Sequence, residues 1–390
     1  MSQDAGPDPA TTTNAGQSPT TSTAWAVIAG GGTAGHTLPG IAIARALVEL
    51  GHDPATLHFV GSERGSEARL VPAAGFAVTL LPGRGIQRRL TLANVGAVWG
   101  LLRALVRAFL LMARHRPAVV VAMGGYASVP CALAAVVLRV PIVVAEQNAV
   151  PGLANRLTAR FAKVAAVSFP GTALPRAVLT GNPVRPEVLA VDRARDRDAA
   201  RSALHIADGQ RVLLAFGGSL GSLRINEAVV GALAAWLPRR DLTVRHVIGE
   251  RDWAVLTEQA PAPVTEGVTY VPVRYEDDMP RAFAAADLVL CRSGATSVAE
   301  LAAIGVPAIL VPLPGAPGDH QTANARALVD AGAAVLVPDA ELTAERLVRE
   351  VDALLAEDGR LEAMGGAARG VANREAGNAV AALVEEHARG

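Results

Sequence analysis

The stretch from Cys291 to Asn324, CRSGATSVAELAAIGVPAILVPLPGAPGDHQTAN, decides the fold of this chain. It begins at the end of an apolar strand and restarts at Ala295 as a helix, because its apolar positions then recur at helical spacing. The helix is predicted to end at Gly305, and a second apolar strand leads into a Gly/Pro-rich loop and a new helix near Thr322. Parallel α/β sheets bind ligands at the carboxyl ends of their strands. The stretch therefore predicts such a sheet with a ligand site at its edge.

The polar residues of this stretch suit a nucleotide. The backbone N–H groups of residues 294–296 lie at a helix N-terminus, where an anion such as a diphosphate binds. Glu300 can accept two hydrogen bonds from the vicinal hydroxyls of a ribose, while Asp319, Gln321 and Asn324 suit a sugar. The alternative is a surface helix whose glutamate is solvated and favourably placed in the helix dipole.

Composition narrows the class of protein. The chain has 390 residues, which predicts two domains, and its 36 basic and 36 acidic side chains argue against a nucleic-acid-binding protein. Cys131 and Cys291 lie in apolar contexts without metal-ligand spacing, which predicts buried, reduced thiols in a cytoplasmic enzyme. Residues 1–23 lack the apolar and basic regions of a secretory signal and predict a disordered tail.

The most apolar segment is residues 90–113, LTLANVGAVWGLLRALVRAFLLMA. Arg103 and Arg107 interrupt it, so it is not predicted to span a membrane. More arginines flank it between residues 84 and 116, and an apolar surface with a cationic rim suits contact with an anionic leaflet. The alternative is a core helix whose arginines extend to solvent.

Apolar strands alternate with helical patterns along the chain, which predicts parallel, doubly wound sheets. One series lies within residues 24–184 and a second within residues 200–359, separated by a predicted linker at residues 185–199. Residues 360–390 predict a C-terminal helix that packs back towards the first half. Each half opens with a strand, a glycine-rich loop and a helix, so a site in the cleft between them is expected. The predicted strands are residues 25–29, 56–60, 77–81, 119–123, 142–145, 164–167, 178–180, 212–216, 244–248, 268–273, 288–291, 308–311 and 334–337.

The first glycine-rich loop, residues 30–35, has the spacing of a dinucleotide fingerprint. A dehydrogenase is disfavoured because no acidic residue stands at the end of the second predicted strand. A P-loop nucleotidase is excluded because no Gly-Lys-Ser/Thr follows either loop. Two facing glycine turns suit two phosphate-bearing ligands, a donor and an acceptor.

Two residues are candidates for a catalytic base. His36 lies at the N-terminus of the first predicted helix, where the helix dipole favours a neutral imidazole. Glu146 follows a buried strand and places a carboxylate at the cleft edge. The alternatives are a histidine that only caps its turn and a glutamate that only orders its loop.

Eight motifs follow one another in a fixed order from about residue 26 to the C-terminus. They are GGTAGH (31–36), MGGYAS (123–128), EQN with PGLAN (146–155), GNPVR (181–185), GGS (217–219), DDM (277–279), CRSGA (291–295) and HQTANA (320–325). In this order they resemble the MurG family, N-acetylglucosaminyltransferases that complete the lipid-linked disaccharide-pentapeptide of peptidoglycan. The resemblance implies a GT-B fold, in which two Rossmann-like, doubly wound parallel-sheet domains face a cleft. It also implies transfer with inversion, without a cofactor or a metal ion.

The implied donor is UDP-N-acetylglucosamine, bound mainly by the second half. Matching positions imply that Glu300 binds the ribose, that the backbone of Glu276 contacts uracil, and that Arg185 closes the site from the hinge. The diphosphate is assigned to Ser219 and to the turn formed by Ala295, Thr296, Ser297 and Val298, and the sugar to Gln321 and Asn324. From the first half, the implied donor contacts are Thr33, Ala34, Gly35 and Asn148.

The implied acceptor is undecaprenyl-diphospho-muramoyl-pentapeptide, whose C4 hydroxyl attacks the donor's C1 while fixed N–H dipoles stabilise the departing UDP. Its contacts by matching position are Gly32, Thr33, His36, Tyr126 and Asn148, with His36 and Glu146 as the candidate bases. The resemblance further implies a peripheral protein on the cytoplasmic face of the cell membrane, bound to the anionic inner leaflet and to the cell-wall synthesis machinery. Alternative functions are a UDP-N-acetylglucosamine 2-epimerase on the same fold and a non-catalytic sugar-nucleotide-binding scaffold.

The chain departs from the family pattern at three places. Ala34 replaces a glycine in the first loop, which requires a negative φ there. Residues 220–222 read Leu-Gly-Ser instead of Gln-Gly-Ala, so a side-chain amide beside Ser219 is lost. Glu276 stands where an aliphatic residue is common, which is neutral if only its backbone meets uracil.

Overall fold

The computed structural model describes residues 24–63, 65–82, 93–218, 221–259 and 267–389. Within these ranges the chain forms two parallel sheets. The strands of the first are β1 (Ala26–Gly31), β2 (Leu57–Ser62), β3 (Ala77–Leu81), β4 (Val119–Gly125), β5 (Ile142–Glu146), β6 (Val164–Val167) and β7 (Ala177–Leu179). Those of the second are β8 (Arg211–Phe216), β9 (Leu242–Val247), β10 (Thr269–Val273), β11 (Leu288–Cys291), β12 (Ala308–Leu310) and β13 (Ala334–Leu336).

Helices connect the strands and cover both faces of each sheet. Those that follow the strands of the first sheet are α1 (Ala34–Glu49), α2 (Glu67–Ala73), α3 (Ala93–His115), α4 (Ser128–Val137) and α5 (Leu153–Thr158). The remainder are α6 (Pro186–Leu189), α7 (Arg193–Ala203), α8 (Leu223–Trp236), α9 (Trp253–Gln259), α10 (Met279–Ala285), α11 (Ala295–Ile304), α12 (His320–Val329), α13 (Ala344–Ala356), α14 (Arg360–Val371) and α15 (Ala376–His387).

The strand order is β3-β2-β1-β4-β5-β6-β7 in the first sheet and β10-β9-β8-β11-β12-β13 in the second. Central strands such as β4 and β11 are buried along their length, because helices cover both faces of a parallel sheet. Each sheet has a separate apolar core on either face. The predicted pair of doubly wound sheets is confirmed, and each predicted strand is present with ends shifted by two residues at most.

Helix α11 ends at Gly305, as its sequence predicts. Gly305 adopts a left-handed conformation (φ 75°), and its N–H donates to the carbonyls of Leu301 and Ala302. Only glycine takes up this conformation without a steric cost, so α11 ends there and β12 can begin.

The segment predicted as a linker, residues 185–199, is helical for most of its length. It contains α6 and the first part of α7, and Asp192 caps α7 by accepting hydrogen bonds from the N–H groups of residues 194 and 195. Arg197 and Arg201 of α7 both pair with the buried carboxylate of Asp287, just before β11. The segment is therefore fixed to the second domain.

The C-terminal region forms two helices, α14 and α15, where the sequence predicts one. The break lies at Asn373, whose side chain donates to the carbonyl of Thr180 over 2.7 Å and accepts from the N–H of Glu375 over 3.1 Å. Beyond it, α15 packs on α1 and buries Val380 and Val384 in the core of the first domain. The chain thus crosses between the two domains twice, near Thr180 and near Asn373, and the two crossings are in contact. None of the helices in the described ranges has the length and apolarity to cross a bilayer.

Candidate active site between the two domains

The N-termini of α1 and α11 face each other across the cleft between the domains. The hydroxyl of Thr296, in the first turn of α11, donates to the carbonyl of Gly35, in the first turn of α1, over 3.4 Å. Thr33 and Gly294 are the N-cap residues, and both are extended. The Thr33 side chain makes no capping hydrogen bond, and Gly294 has no side chain to make one. The first N–H groups of each helix have no intrahelical partner, so two helix ends that are suited to anions lie side by side.

The first glycine-rich loop is held from beneath. Gly32, predicted to bind the acceptor, donates its N–H over 3.2 Å to the buried carboxylate of Glu67. That amide is therefore engaged inside the domain, whereas the following residues begin α1. Ala34 is the first residue of the helix, so the negative φ that its side chain requires is present.

His36 lies in the first turn of α1, within the cleft. Its Nδ1 is 3.3 Å from the hydroxyl of Thr33, and a Cβ placed on Gly124 would lie 3.3 Å from its Nε2. Burial, followed by the nearby His320, lowers the pKa of His36 from 6.5 to about 4. The imidazole is therefore neutral at pH 7, with one ring nitrogen unprotonated.

Glu146, the second candidate base, is buried at the end of β5 and surrounded by donors. Its carboxylate accepts from the N–H of Asn148 at 2.9 Å, from the side chain of Asn148 at 3.2 Å, from the N–H of Gly152 at 3.0 Å and from the side chain of Asn155 at 3.0 Å. These four bonds order the loop between β5 and α5. They favour the structural role for Glu146 over that of a base.

Asn148 and Asn324, both predicted to contact the donor, bind each other. The amide group of Asn324 donates over 3.1 Å to Oδ1 of Asn148 and over 3.3 Å to the carbonyl of Ser293. The N–H of Ala149 donates in turn to Oδ1 of Asn324 over 2.9 Å. Asn324 is fully buried, and its side chain holds the two domains together beside the α11 N-terminus.

Glu300, the predicted ribose ligand, is buried on α11 and paired with Arg185. The Nε and one terminal nitrogen of Arg185 donate to the same oxygen, Oε1, over 3.0 and 2.7 Å. Within the described ranges, Oε2 accepts no hydrogen bond from the protein. Burial raises the pKa of Glu300, and Arg185 partly offsets that rise. The hinge residue and the predicted ribose ligand are thus brought together.

The other predicted donor residues that the structure describes lie around the same sheet edge. The Gln321 side chain accepts from the N–H of Leu313 over 2.9 Å through its oxygen. Glu276 is paired with Arg245 of β9 (2.7 Å between Oε2 and Nε), which leaves only its backbone for a base.

In the α11 turn, Ala295 and Val298 are buried, whereas Thr296 and Ser297 are partly exposed. Ser219, like Leu220, lies outside the described residues, as does the predicted tail.

On the acceptor side, Tyr126 follows β4 and points towards the end of β3. Its hydroxyl donates to the carbonyl of Pro82 over 2.9 Å, and burial raises its pKa. The hydroxyl oxygen can still accept a hydrogen bond in this arrangement. Its predicted contact with the acceptor stays a prediction.

The sequence did not single out Arg292, which connects the loops at the edge of the second sheet. Its guanidinium donates to the hydroxyl of Ser222 over 2.7 Å, to the carbonyls of Val311 and Pro312 over 3.2 and 3.1 Å, and lies 2.6 Å from a carboxylate oxygen of Asp339. These partners follow β8, β12 and β13, while Arg292 itself follows β11. The sequence signal that could have identified Arg292 is a charged residue directly after a buried strand.

Comparisons with known proteins agree with this geometry. A model of the glycosyltransferase family 28 N-terminal domain matches residues 26–167, and a model of the C-terminal domain of that family matches residues 212–381. A UDP-N-acetylglucosamine--N-acetylmuramyl-(pentapeptide) pyrophosphoryl-undecaprenol N-acetylglucosamine transferase of Nocardioides sp. is 45% identical over 361 residues, which cover 92% of this chain and 97% of that protein. A protein of the same name from Streptomyces coelicolor is 41% identical over 362 residues, with coverages of 92% and 97%.

Solved structures extend the similarity to three dimensions. MurG of Acinetobacter baumannii matches with a TM-score of 0.71 and 30% identity, covering 93% of this chain and 99% of that one. The UDP-GlcNAc 2-epimerase of Methanocaldococcus jannaschii, at 15% identity and a TM-score of 0.61 over 93% of this chain and 99% of its own, shares the fold alone. The chain therefore belongs to glycosyltransferase family 28 and, within it, to the MurG family of N-acetylglucosaminyltransferases that its motifs resemble.

Proposed function

We propose that this protein transfers N-acetylglucosamine from UDP-N-acetylglucosamine to the C4 hydroxyl of undecaprenyl-diphospho-muramoyl-pentapeptide, with inversion and without a metal ion. The observation that carries the proposal is the contact between Thr296 and Gly35, because it brings two uncapped helix N-termini to one cleft. Both substrates carry a diphosphate, and each helix end supplies N–H donors and a positive dipole for one of them. Charge developing on the leaving UDP is then stabilised by fixed dipoles.

The donor is assigned to the second domain. Its diphosphate is assigned to the α11 turn from Ala295 to Val298 and, by the resemblance, to Ser219. Its ribose hydroxyls bind Oε2 of Glu300, which accepts no hydrogen bond from the described part of the chain. Arg185, held by the other oxygen of Glu300, approaches from the hinge. Uracil contacts the backbone at Glu276. Gln321 offers its amide N–H groups to the sugar, since among the described residues its side chain is engaged through the oxygen alone.

The acceptor diphosphate is assigned to the N–H groups of residues 33–35, which open α1. His36 is the proposed base, because it lies beside this loop and its neutral form prevails at pH 7. Its imidazole takes the proton of the C4 hydroxyl as the oxygen bonds to the donor's C1 and the bond from C1 to the diphosphate breaks. Asn148 and Asn324 hold the domains close enough for both reactants to meet.

The acceptor's polyprenyl chain requires a membrane, and α3 provides a suitable surface. Ala104, Ala108 and Met112 are buried at four-residue intervals, whereas Val106 and Leu110 on the opposite face are about 60% exposed (59% and 61%). Between α3 and α4 lies an open apolar groove of about 290 Å³. Its lining residues are Leu105, Val106, Phe109, Leu110, Leu133, Ala134 and Val137. The exposed Arg103 and Arg107 adjoin this face and suit the anionic inner leaflet on the cytoplasmic side. Arg84, Arg88 and Arg89, which the sequence also assigns to the cationic rim, lie outside the described residues.

The test is transfer of labelled sugar from UDP-N-acetylglucosamine to a synthetic muramoyl-pentapeptide diphospholipid. We expect a disaccharide lipid whose new bond has the inverted anomeric configuration, formed at the same rate with and without a chelator. Loss of activity with the chelator and its return with magnesium would contradict metal independence. Epimer formed from the nucleotide sugar alone would instead favour the 2-epimerase, and binding of the nucleotide sugar without any turnover would favour the scaffold.

A further inference from the structure

A buried carboxylate lies beneath the first glycine-rich loop. Glu67 opens α2, is 3% exposed, and accepts three hydrogen bonds from different parts of the first domain. Its Oε1 accepts from the N–H of Gly32 at 3.2 Å and from the hydroxyl of Thr37 at 2.7 Å, and its Oε2 accepts from the N–H of Ser62 at 3.5 Å. The carboxylate therefore connects the loop and the first turn of α1 to the end of β2.

The chain around Glu67 is shaped to admit this side chain. A Cβ on Gly65 would lie 1.8 Å from Oε2 of Glu67, and a Cβ on Gly61 would lie 2.6 Å from the Cβ of Glu67. Neither position tolerates a larger residue while the glutamate stays in place. The hydroxyl of Ser66 is also 2.8 Å from that of Thr37, so the donor to the carboxylate is itself oriented.

The N–H groups of the loop consequently differ in whether they have a hydrogen-bond acceptor within the domain. The amide of Gly32 is drawn inward by Glu67, whereas those of residues 33–35 donate to no acceptor within the described ranges. The side chain of Thr37 fixes the next turn of α1 to the same carboxylate. The open N–H groups are thus held on the side of the cleft, and a buried acid at the positive end of α1 stabilises that helix.

We propose that Glu67 is a positioning residue that shapes the loop of residues 32–37 for the acceptor's diphosphate. It acts through Gly32 and Thr37 and touches neither substrate. This inference rests on the proposed function for the identity of the anion, but the shape of the loop can be measured without any substrate.

The variants are Glu67→Gln, Thr37→Val and, as a control, Glu49→Gln, which changes an exposed carboxylate near the other end of α1. Glutamine keeps an oxygen for Gly32 and Thr37 but turns an amide donor towards the N–H of Ser62. Valine has nearly the shape of threonine and removes only the hydroxyl. Thr37→Val keeps the test informative if Glu67→Gln does not fold.

Two measurements decide the proposal. In hydrogen–deuterium exchange without substrate, both variants should exchange the amides of residues 32–37 faster than the wild type, and Glu49→Gln should not. In the transfer assay, both variants should raise the acceptor KM by about threefold to tenfold, consistent with the disruption of one buried hydrogen bond in each. The Kd for UDP, measured by calorimetry, should stay within about twofold because UDP binds the second domain.

The outcomes are distinguishable. Unchanged exchange in both variants overturns the positioning role, and an unchanged acceptor KM with faster exchange overturns its link to the acceptor. An equal rise in the Kd for UDP shows a general structural role and also overturns the proposal. If the wild type itself transfers no sugar, the proposed function has failed, and the exchange and UDP measurements still decide whether Glu67 shapes the loop.

Discussion

The side chain of Asn324 donates over 3.1 Å to that of Asn148 and thereby joins the second domain to the first. The orientation of both amides is fixed, because the N–H of Ala149 requires an oxygen on Asn324 and the carboxylate of Glu146 requires a donor on Asn148. A continuous path of hydrogen bonds therefore runs from Glu146 through Asn148 and Asn324 to the carbonyl of Ser293, just before the N-terminus of α11. Residues that the sequence assigns to substrate are used here to connect loops on the two sides of the cleft.

Asn324→Ala tests this connection. The variant leaves Oδ1 of Asn148 and the N–H of Ala149 without their partner, which costs about 1–3 kcal/mol in the closed arrangement. We expect kcat/KM to fall by about tenfold to a hundredfold for both substrates. Steady-state kinetics measure this, with Asn378→Ala on the exposed side of α15 as a control that should behave as the wild type. A folded Asn324→Ala variant with normal kinetics would show that the contact is dispensable.

Glu300→Ala tests the ribose assignment. The substitution removes a charge-assisted contact with the donor worth on the order of 2 kcal/mol, so the donor KM should rise about thirtyfold. Glu300→Gln keeps an oxygen for Arg185 and should give a smaller rise. The acceptor KM is the internal control and should change little in either variant. A donor KM that stays at the wild-type value in Glu300→Ala would remove Glu300 from the ribose site.

The fold was predictable from local patterns. Buried strands such as β4 and β11 are continuous apolar runs. Glycines encode the breaks around α11, with Gly294 between β11 and the helix and Gly305 between the helix and β12. These signals lie within a few residues of the structure that they specify. The same holds for the two helix N-termini at the cleft, which only require a strand, a small-residue turn and a helix.

The connections between loops were not predictable in this way. Glu67 lies 35 residues from Gly32, Arg292 lies 70 residues from Ser222, and Asn324 lies 176 residues from Asn148. No local spacing predicts which polar residue at a strand end binds substrate and which binds another loop. The break between α14 and α15 has the same cause, since Asn373 binds Thr180, 193 residues away.

The buried His246 predicts a loss of stability in mild acid. Its Nε2 lies 3.0 Å from the side-chain oxygen of Asn226 and its Nδ1 lies 3.0 Å from the hydroxyl of Tyr270, so the neutral ring is satisfied. Burial lowers its pKa from 6.5 to about 4. Between these values the unfolded chain binds more protons than the folded one, so the stability that is present above pH 6.5 is lost as the pH falls towards 4.

His246→Gln measures this contribution, because glutamine supplies a donor and an acceptor but does not titrate. In the wild type, the contribution of His246 alone should make the free energy of unfolding about 2 kcal/mol lower at pH 5 than at pH 8. Urea unfolding should therefore show a shallower pH dependence in the variant than in the wild type. His36 and His58 also have a pKa lowered to about 4, so part of the slope should remain in the variant. The half-buried His387, changed to glutamine, is the control. Equal slopes in wild type and His246→Gln would contradict the assignment.

The apolar face of α3 predicts an association with anionic membranes that one charge can weaken. Val106 on α3 and Val255 on α9 are equally exposed, at 59% and 57%, but only Val106 borders the apolar groove. In floatation with anionic vesicles at low salt, Val106→Glu should bind about tenfold more weakly, because it loses the burial of an apolar side chain and gains repulsion from the lipid charge. Val255→Glu adds the same charge to the second domain and should bind as the wild type does. If both variants bind as tightly as the wild type, membrane contact lies elsewhere. If both bind equally more weakly than the wild type, the effect is one of net charge alone.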